Sequence, residues 1–261
     1  MSETPAQKVQ VEGKMFLFEQ PELLVKEAHG TLGLDQMEKP FQFAAKVRAV
    51  PLTVTEFPAA QKSFPIIYAD TENLVPLAVV GLIDDDNLFV GEDGKWEDNA
   101  YIPGYLRRYP FAFAGDAQND RMAVVIDRAA PGLREGGQLP LFNGDKLSEQ
   151  SERAIEFCKG YERDRRGTEQ FTAKLKGLGI VAQQQAQFKP DGADQEKPFA
   201  AYVGIDEQKF RELPDDKLIE LHKEGMLPFI YAQLMSMGNW RRLLERRARR
   251  TGQADPTQVL N

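Results

Sequence analysis

The sequence has very few of the residues that bind transition metals or form disulfide bonds. Its 261 residues include one cysteine, Cys158, and two histidines, His29 and His222. One thiol cannot form an intrachain disulfide, and so few thiol and imidazole groups leave little material for a zinc site. The single cysteine is also consistent with a reducing compartment. We therefore expect neither a metal site nor a cofactor.

Long hydrophobic runs are missing as well. No apolar stretch of the sequence approaches the roughly 18 residues that are typical of a membrane-spanning helix. The first residues are polar and lack the basic and apolar regions of a secretory signal. We expect residues 1–14 to be a disordered leader, and we expect a soluble, cytoplasmic protein without a membrane span.

The motifs of several enzyme classes are absent. The sequence has no phosphate-binding loop, no glycine-rich dinucleotide turn and no serine in a nucleophile elbow. His222 lacks the second histidine of a zincin helix, and the acidic clusters at 84–87 and 92–98 lack the ligand spacing of a calcium loop. Catalytic residues stay unknown, and we expect a protein that is not an enzyme. The net charge of −7 argues against nucleic acid as a partner.

The sequence does contain a change of periodicity near its middle. From about residue 15 to residue 126, short apolar runs alternate with clusters of Pro, Gly, Asp and Asn, which is typical of strands and tight turns. We predict turns at 84–87 and 92–95. The predicted strands of this half are 64–70, 74–83, 88–90 and 121–127.

The second half has mostly helical spacing. Ser148 is a good N-cap, and after it apolar residues recur at helical spacing as far as Leu178. The charged stretch 162–167 interrupts these apolar residues, so the pattern fits one long helix or two. A hairpin of 182–189 and 199–205 follows, and then a C-terminal helical region. The prediction is an α+β fold: a β-rich N-terminal half with short strands and hairpins, then helices, a hairpin and helices. We expect one domain over residues 15–250 and a flexible tail over 251–261.

The most distinctive stretch is YIPGYLRRYPFAF, residues 101–113, in which two adjacent arginines stand among aromatic residues. Arginine pairs with carboxylates and phosphates and stacks on aromatic rings. One hypothesis is therefore a rim around an anionic ligand, formed by Trp96, Tyr101, Tyr105, Arg107, Arg108 and Tyr109. The structural alternative, which we favour, is that the rings pack in the core while the arginines pair with nearby acids such as Asp84 to Asp86.

Two single residues have both a chemical and a structural interpretation. Glu56 can act as a general base if it is buried, but a lone carboxylate beside apolar residues more often caps or pairs. Cys158 lies on the apolar face of the predicted long helix, which favours a small core residue over a nucleophile.

The stretch RRLLERRARR, residues 241–250, sets six arginines against one glutamate. Such a basic segment can bind an acidic partner, a membrane surface or nucleic acid. The candidates for contact with a partner are Trp240, Arg241, Arg242, Arg246 and Arg247. The alternative is a solvated helix end whose cations complement the helix dipole.

Four stretches of the chain resemble the SapC family of bacterial proteins: 49–69, 81–113, 141–150 and 227–240. Their order and spacing are similar to the family from about Met15 to Leu244. The family name implies a link to a surface layer. The resemblance also implies genomic proximity to TonB-dependent receptors and flavin-dependent, halogenase-like proteins, and it supplies no catalytic residues.

We therefore expect a non-enzymatic accessory or binding protein with a protein partner. The resemblance implies that this partner is a halogenase-like enzyme or a component of nutrient uptake. One alternative is an enzyme of unrecognised type with a pocket around residues 101–113, and a second is a surface-layer-associated protein. The sequence does not determine the oligomeric state.

Overall fold

The computed structural model describes residues 14–83, 85–116, 121–188, 195 and 197–252. Strands dominate the first part of this range. The strands, in chain order, are β1 (Pro21–Leu23), β2 (Leu32–Leu34), β3 (Ala49–Pro51), β4 (Ile66–Tyr68), β5 (Pro76–Val79), β6 (Phe111–Asp116), β7 (Arg121–Asp127), β8 (Leu133–Glu135), β9 (Leu139–Pro140), β10 (Phe142–Asn143), β11 (Lys146–Leu147), β12 (Val181–Phe188) and β13 (Lys197–Ile205).

Helices dominate the second part. They are α1 (Lys26–His29), α2 (Phe57–Ala60), α3 (Gly104–Arg107), α4 (Glu149–Leu178), α5 (Glu207–Arg211), α6 (Asp215–Lys223), α7 (Leu227–Ser236) and α8 (Asn239–Thr251), with 3-10 helices at Gln42–Ala44 and Val54–Glu56. The predicted α+β class and its order of elements are confirmed.

The largest sheet joins the two halves of the chain. It has five strands in the order β12-β13-β4-β5-β3, and each neighbouring pair is antiparallel. The late hairpin β12–β13 reaches the early strands through the pairing of Val203 with Tyr68. A second sheet has the order β1-β7-β6, and a third has the order β8-β2-β9. The N-terminal strands and the C-terminal half therefore share one hydrogen-bonded sheet.

The predicted strands of the first half are mostly present but shorter. β4 and β5 occupy the middle of 64–70 and 74–83, and β7 has the predicted bounds 121–127. The prediction of a strand at 88–90 is wrong, because only Val90 pairs, in an isolated bridge with Trp96. In the turn between them, Gly94 has a φ of +69°, a conformation that glycine adopts without steric strain. Asp84 lies outside the described residues.

Helix α4 is continuous, so the charged stretch at 162–167 does not divide it. It begins as predicted at Ser148, whose hydroxyl accepts a hydrogen bond from the Ser151 backbone N–H at 3.2 Å. It ends at Gly179, which has a φ of 67° and acts as a left-handed C-cap. This helix contacts β6, which begins within the segment 101–113, and the 3-10 helix Val54–Glu56. It therefore lies beside the aromatic–arginine segment and beside Glu56.

The C-terminal helices complete the main core. Pro214 precedes α6, and Gly225 follows it with a φ of +68°, as the sequence indicates. Trp240 and Leu243 of α8 belong to the same buried cluster as Phe64 of the first half and Phe171 of α4. Burial of these large side chains is the main source of stability for this arrangement.

Three predictions fall partly outside the described ranges. The predicted leader lies outside them except for Lys14, and so does the loop between β12 and β13 except for Gln195. Of the predicted tail, Thr251 still belongs to α8 and Gly252 is its C-cap, while residues 253–261 are not described. Among the described residues, no helix combines the length and the apolarity that crossing a membrane requires.

Candidate functional site

The carboxylate of Glu56 fixes the start of the aromatic–arginine segment. One of its oxygens, Oε1, accepts hydrogen bonds from the Gly104 backbone N–H at 2.6 Å and from the Tyr101 hydroxyl at 3.0 Å. The other oxygen, Oε2, accepts from the backbone N–H of Thr53 at 2.7 Å and from its hydroxyl at 3.0 Å. Because both oxygens of this buried carboxylate have donors, Glu56 acts here as a capping and bridging group.

Gly104 allows the close approach on which this bridge depends. A Cβ at this position would lie 3.2 Å from Glu56 Oε1 and 3.2 Å from a ring carbon of Tyr161. Both distances are tighter than ordinary contacts, so any larger residue would push α3 away from Glu56 or from α4. The glycine therefore lets α3 sit directly against the long helix.

Arg108 is buried between two aromatic rings. Its guanidinium carbon lies 4.2 Å from the ring centroid of Tyr105 and 4.6 Å from that of Tyr161. Its Nη1 donates to Glu162 Oε1 at 3.3 Å, and the two side chains are 6% and 12% exposed. The two rings are nearly perpendicular to each other, so they cover two adjacent sides of the guanidinium. A desolvated cation against aromatic rings with one carboxylate partner is a stable arrangement for arginine.

Arg107 occupies a more exposed position than its neighbour. It donates to the Tyr101 hydroxyl at 3.0 Å, and its guanidinium lies over the rings of Phe157 and Tyr101 at 5.0 and 5.5 Å. The prediction that these arginines pair with Asp85 or Asp86 is wrong. Asp86 pairs with Arg250, and Asp85 lies 3.7 Å from Arg48.

The side chains of Tyr109 and Trp96 both contact other side chains of the fold. The Tyr109 hydroxyl donates to Asp127 Oδ2 at 3.0 Å, and its ring stacks on Phe43 with centroids 4.1 Å apart. Trp96 packs instead in the main core, where its ring stacks on Phe89 at 5.7 Å. The structure thus groups Tyr105 with Arg108 and Tyr101 with Arg107. Tyr109 lines a smaller cavity of about 240 Å³ together with both arginines, whereas Trp96 lies in the core.

A cleft of about 500 Å³ opens beside Arg108. Its wall includes one face of α4, the segment 72–76, the end of β3 and Phe113 of β6. The charged groups in the lining are Arg108, Arg165, Lys176, Glu72, Glu162 and Glu169. A concave site next to the predicted segment therefore exists, and Arg108 and Tyr105 are the two predicted residues that line it.

Burial keeps the tyrosines of this region neutral. It raises the pKa of Tyr101 to about 12, with a further contribution from the negative charge of Glu56. Burial also raises the pKa of Tyr105 and of Tyr161, although the positive charge of Arg108 partly opposes this. These phenols stay protonated at neutral pH, so they can donate hydrogen bonds but do not act as bases.

Five of the six arginines of α8 divide into two sets, and the sixth, Arg249, donates to the backbone oxygen of Glu245 at 3.4 Å. Arg246 pairs with Glu97 and lies over the ring of Phe89 at 4.4 Å. Arg247 donates to the backbone oxygen of Ile83 at 3.2 Å. Arg250 donates to Asp86 Oδ1 at 2.8 Å and to two backbone oxygens of the same loop. These three side chains link α8 to the segment between Ile83 and Glu97.

The other set lies on the outside of the molecule. Arg241 is exposed and pairs with Glu245 on the same helix at 3.0 Å. Arg242 is exposed and donates to the backbone oxygen of Lys62 at 3.2 Å. Trp240 is buried, with its ring against Phe199 and Tyr202 at 5.7 and 5.6 Å. Of the predicted partner contacts, only Arg241 and Arg242 therefore present their side chains to solvent.

Comparison with known families decides the classification. A family model, SapC, matches residues 24–243 of the chain, which is nearly its full length. The chain belongs to the SapC family. Searches of curated proteins and of solved structures return no match. The match includes every residue of the cleft and of the segment 101–113, and it ends within α8 of this SapC chain.

Sequence reasoning missed Glu162 and Arg165 as residues of this site. Both belong to the charged stretch 162–167, which the pattern presents only as an interruption of an apolar face. Arg165 donates to Glu162 Oε2 at 2.6 Å and also pairs with Glu169. The sequence shows that Glu162 is an acidic residue directly after Tyr161 on a predicted helix. No local pattern indicates that Glu162 contacts Arg108, which lies 54 residues earlier.

Proposed function

We propose that the protein is a non-enzymatic binding protein that docks an acidic segment of a partner protein. The proposed docking surface consists of Lys62, Tyr231, Met235, Arg241 and Arg242. The observation that carries the proposal is the exposure of large apolar side chains beside cations: Met235 is 70% exposed and Tyr231, one turn earlier on α7, is 52% exposed. Methionine, tyrosine and arginine are enriched in protein interfaces.

The charge of the docking surface supports an acidic occupant. The chain as a whole has a net charge of −7, yet this surface contains Lys62, Arg241 and Arg242, and Arg241 pairs with Glu245. Complementary charge accelerates association and selects among partners. A shallow depression of about 500 Å³, lined by Met235, Arg242 and neighbouring residues, can receive an apolar side chain of the partner.

The family resemblance suggests two classes of partner. They are a halogenase-like enzyme and a component of nutrient uptake, and either can present an acidic segment. The proposal requires only that the segment carries carboxylates next to an apolar side chain.

The test is site-specific crosslinking in the native host. A photo-reactive amino acid at Met235 is expected to capture one protein, and the same residue at Ile219, which is 53% exposed on α6, serves as the positional control. Arg241→Glu/Arg242→Glu is expected to abolish the product. Arg153→Glu/Arg163→Glu makes the same change in net charge at exposed positions of α4 and is expected to preserve it.

Two results would count against the docking proposal. One is an absence of any product at Met235 while Ile219 yields one. The other is equal loss of the product in both charge-reversed variants, since that would indicate a nonspecific effect of net charge. Increasing salt is expected to weaken capture at Met235, because the attraction involves exposed charges.

An enzyme of unrecognised type is the second candidate, and the cleft beside Arg108 is the observation that favours it. The ionisable groups of its lining include tyrosines whose pKa values burial raises. Such tyrosines do not supply a base at neutral pH, so the enzyme hypothesis needs a carboxylate of the lining, such as Glu162, in that role. Because Glu162 already pairs with Arg108 and Arg165, we rank this hypothesis below binding.

A further inference from the structure

The cleft beside Arg108 has no part in the docking proposal. Its volume of about 500 Å³ lies in the range typical of small-molecule sites. Much of its wall is apolar and is contributed by Leu52, Leu74, Val75, Pro76 and Phe113. An apolar pocket with a few convergent polar groups is the usual form of a site for a small organic ligand.

The guanidinium of Arg108 has more hydrogen-bond donors than acceptors around it. A guanidinium has five N–H donors, and within the described part of the chain the guanidinium of Arg108 has one carboxylate acceptor, Glu162 at 3.3 Å, and the Tyr105 hydroxyl beside it. Its Nε is buried and has no acceptor there. Buried polar groups nearly always have partners, so spare donors on a residue that lines a cleft point to a ligand with acceptor atoms.

The charged groups in the lining of the cleft balance in number, with three cations and three carboxylates. Glu162 is shared between two cations, since Oε1 faces Arg108 and Oε2 accepts from Arg165. Arg165 also pairs with Glu169, and at the other end of the cleft Lys176 and Glu72 pair with each other at 2.9 Å. Of these cations, Arg108 has the longest contact with a carboxylate, 3.3 Å to Glu162.

We propose that this cleft binds a small carboxylic acid with an apolar body, whose carboxylate pairs with the guanidinium of Arg108. Tyr105 and Tyr161 pack against that guanidinium, and a carboxylate matches its planar array of donors. The apolar wall removes the body of the ligand from water. The site shares no residue with the docking surface.

Calorimetric titration with decanoate and 4-phenylbutanoate tests the proposal. Each acid is compared with its primary amide, which has nearly the same shape and no charge. Each acid is expected to bind wild-type protein at least about tenfold more tightly than its amide, because a charge-assisted hydrogen bond is lost in the amide. Arg108→Gln is expected to reduce the affinity for the acid to that for the amide.

A second variant keeps the test valid if Arg108→Gln does not fold. Ala173 is exposed on α4 and lines the cleft, so Ala173→Trp is expected to fill the cleft and abolish binding. Gln170 is exposed on the same helix and does not line the cleft, so Gln170→Trp is expected to leave binding unchanged.

Three outcomes would overturn the proposal. They are no binding of either acid to wild-type protein, equal affinity for acids and amides, and unchanged binding in Ala173→Trp. Crosslinking at Met235 is measured separately, so failure of the cleft proposal leaves the docking proposal standing, and the reverse also holds.

Discussion

The protein uses arginine in two ways, in the segment 101–109 and in α8. In the segment, the Arg108 side chain is 6% exposed and lies between two tyrosine rings with one carboxylate partner. In α8, Arg250 reaches a loop at the surface and Arg241 lies along its own helix. The number of arginines in a sequence does not distinguish these cases. Contact with a ring and a carboxylate of the distant helix α4 does.

The difference has an energetic consequence. A buried charge has lost its hydration, so its partners must compensate, and removal of one member of such a pair is costly. An exposed charge keeps most of its hydration, and its ion pair contributes little. Arg108, the buried cation of the segment, is therefore expected to matter more for stability than the exposed cations of α8.

The largest effect is expected for Arg108→Ala. It leaves Glu162 with Arg165 alone and opens a space between two rings, which we expect to lower the free energy of unfolding by about 3 kcal/mol. Urea unfolding followed by circular dichroism measures it. Arg163→Ala, at an 81%-exposed position on α4, is the control and is expected to change little. A loss below about 1 kcal/mol in Arg108→Ala would remove the distinction between the two regions.

The next largest effect is expected for Arg250→Ala. The variant loses one ion pair and two hydrogen bonds to the backbone oxygens of Asn87 and Val90, all at a partly exposed site. We expect a loss of about 1.5 kcal/mol in the same unfolding experiment. A loss equal to that of Arg108→Ala would mean that α8 is as dependent on its cations as the buried segment is.

A much smaller effect on stability is expected for Arg241→Ala. Its ion pair with Glu245 is exposed and lies within one helix, where such pairs contribute about 0.3–0.5 kcal/mol. Thermal unfolding measures the change, and Glu245→Ala is the matched variant. If either substitution proved strongly destabilising, the docking surface would have a structural role that its exposure does not suggest.

The last expected effect is a change in pH dependence, confined to alkaline solution, in Tyr101→Phe. The pKa of Tyr101 is raised to about 12 in the folded protein and is about 10 in an unfolded chain. Its contribution is therefore fully present below about pH 10 and is lost as the pH rises through 12. The fall in urea midpoint over this window is expected to be shallower in Tyr101→Phe than in wild type. The same dependence of the urea midpoint on pH in Tyr101→Phe and in wild type would contradict this prediction. Arg241→Ala serves as the control.

Local sequence signals predicted the elements whose causes are local. Ser148 and Gly179 bound α4 through their own capping geometry, and the hairpin β12–β13 consists of two neighbouring segments of the chain that pair with each other. The strand predicted at 88–90 is absent, because strand formation depends on a pairing partner, and only Val90 finds one.

The candidate site was only partly predictable for a related reason. The residues 101–109 were identifiable by composition, but their partners come from Glu56 and from the middle of α4. Such long-range contacts depend on how elements pack, which no local pattern records. Trp96 is close to the segment in sequence, yet its bridge to Val90 places its ring against Phe89 in the core.

The single cysteine provides a direct way to observe opening of the fold. Cys158 lies on α4 in a small core cluster with Leu32, Phe111, Ile126 and Leu141. Burial raises the pKa of its thiol to about 11, so in the native state the thiol is both inaccessible and protonated. A thiol reagent can therefore modify it only when α4 separates from these strands. The rate of labelling in native buffer would measure how often that separation occurs, without any engineered probe.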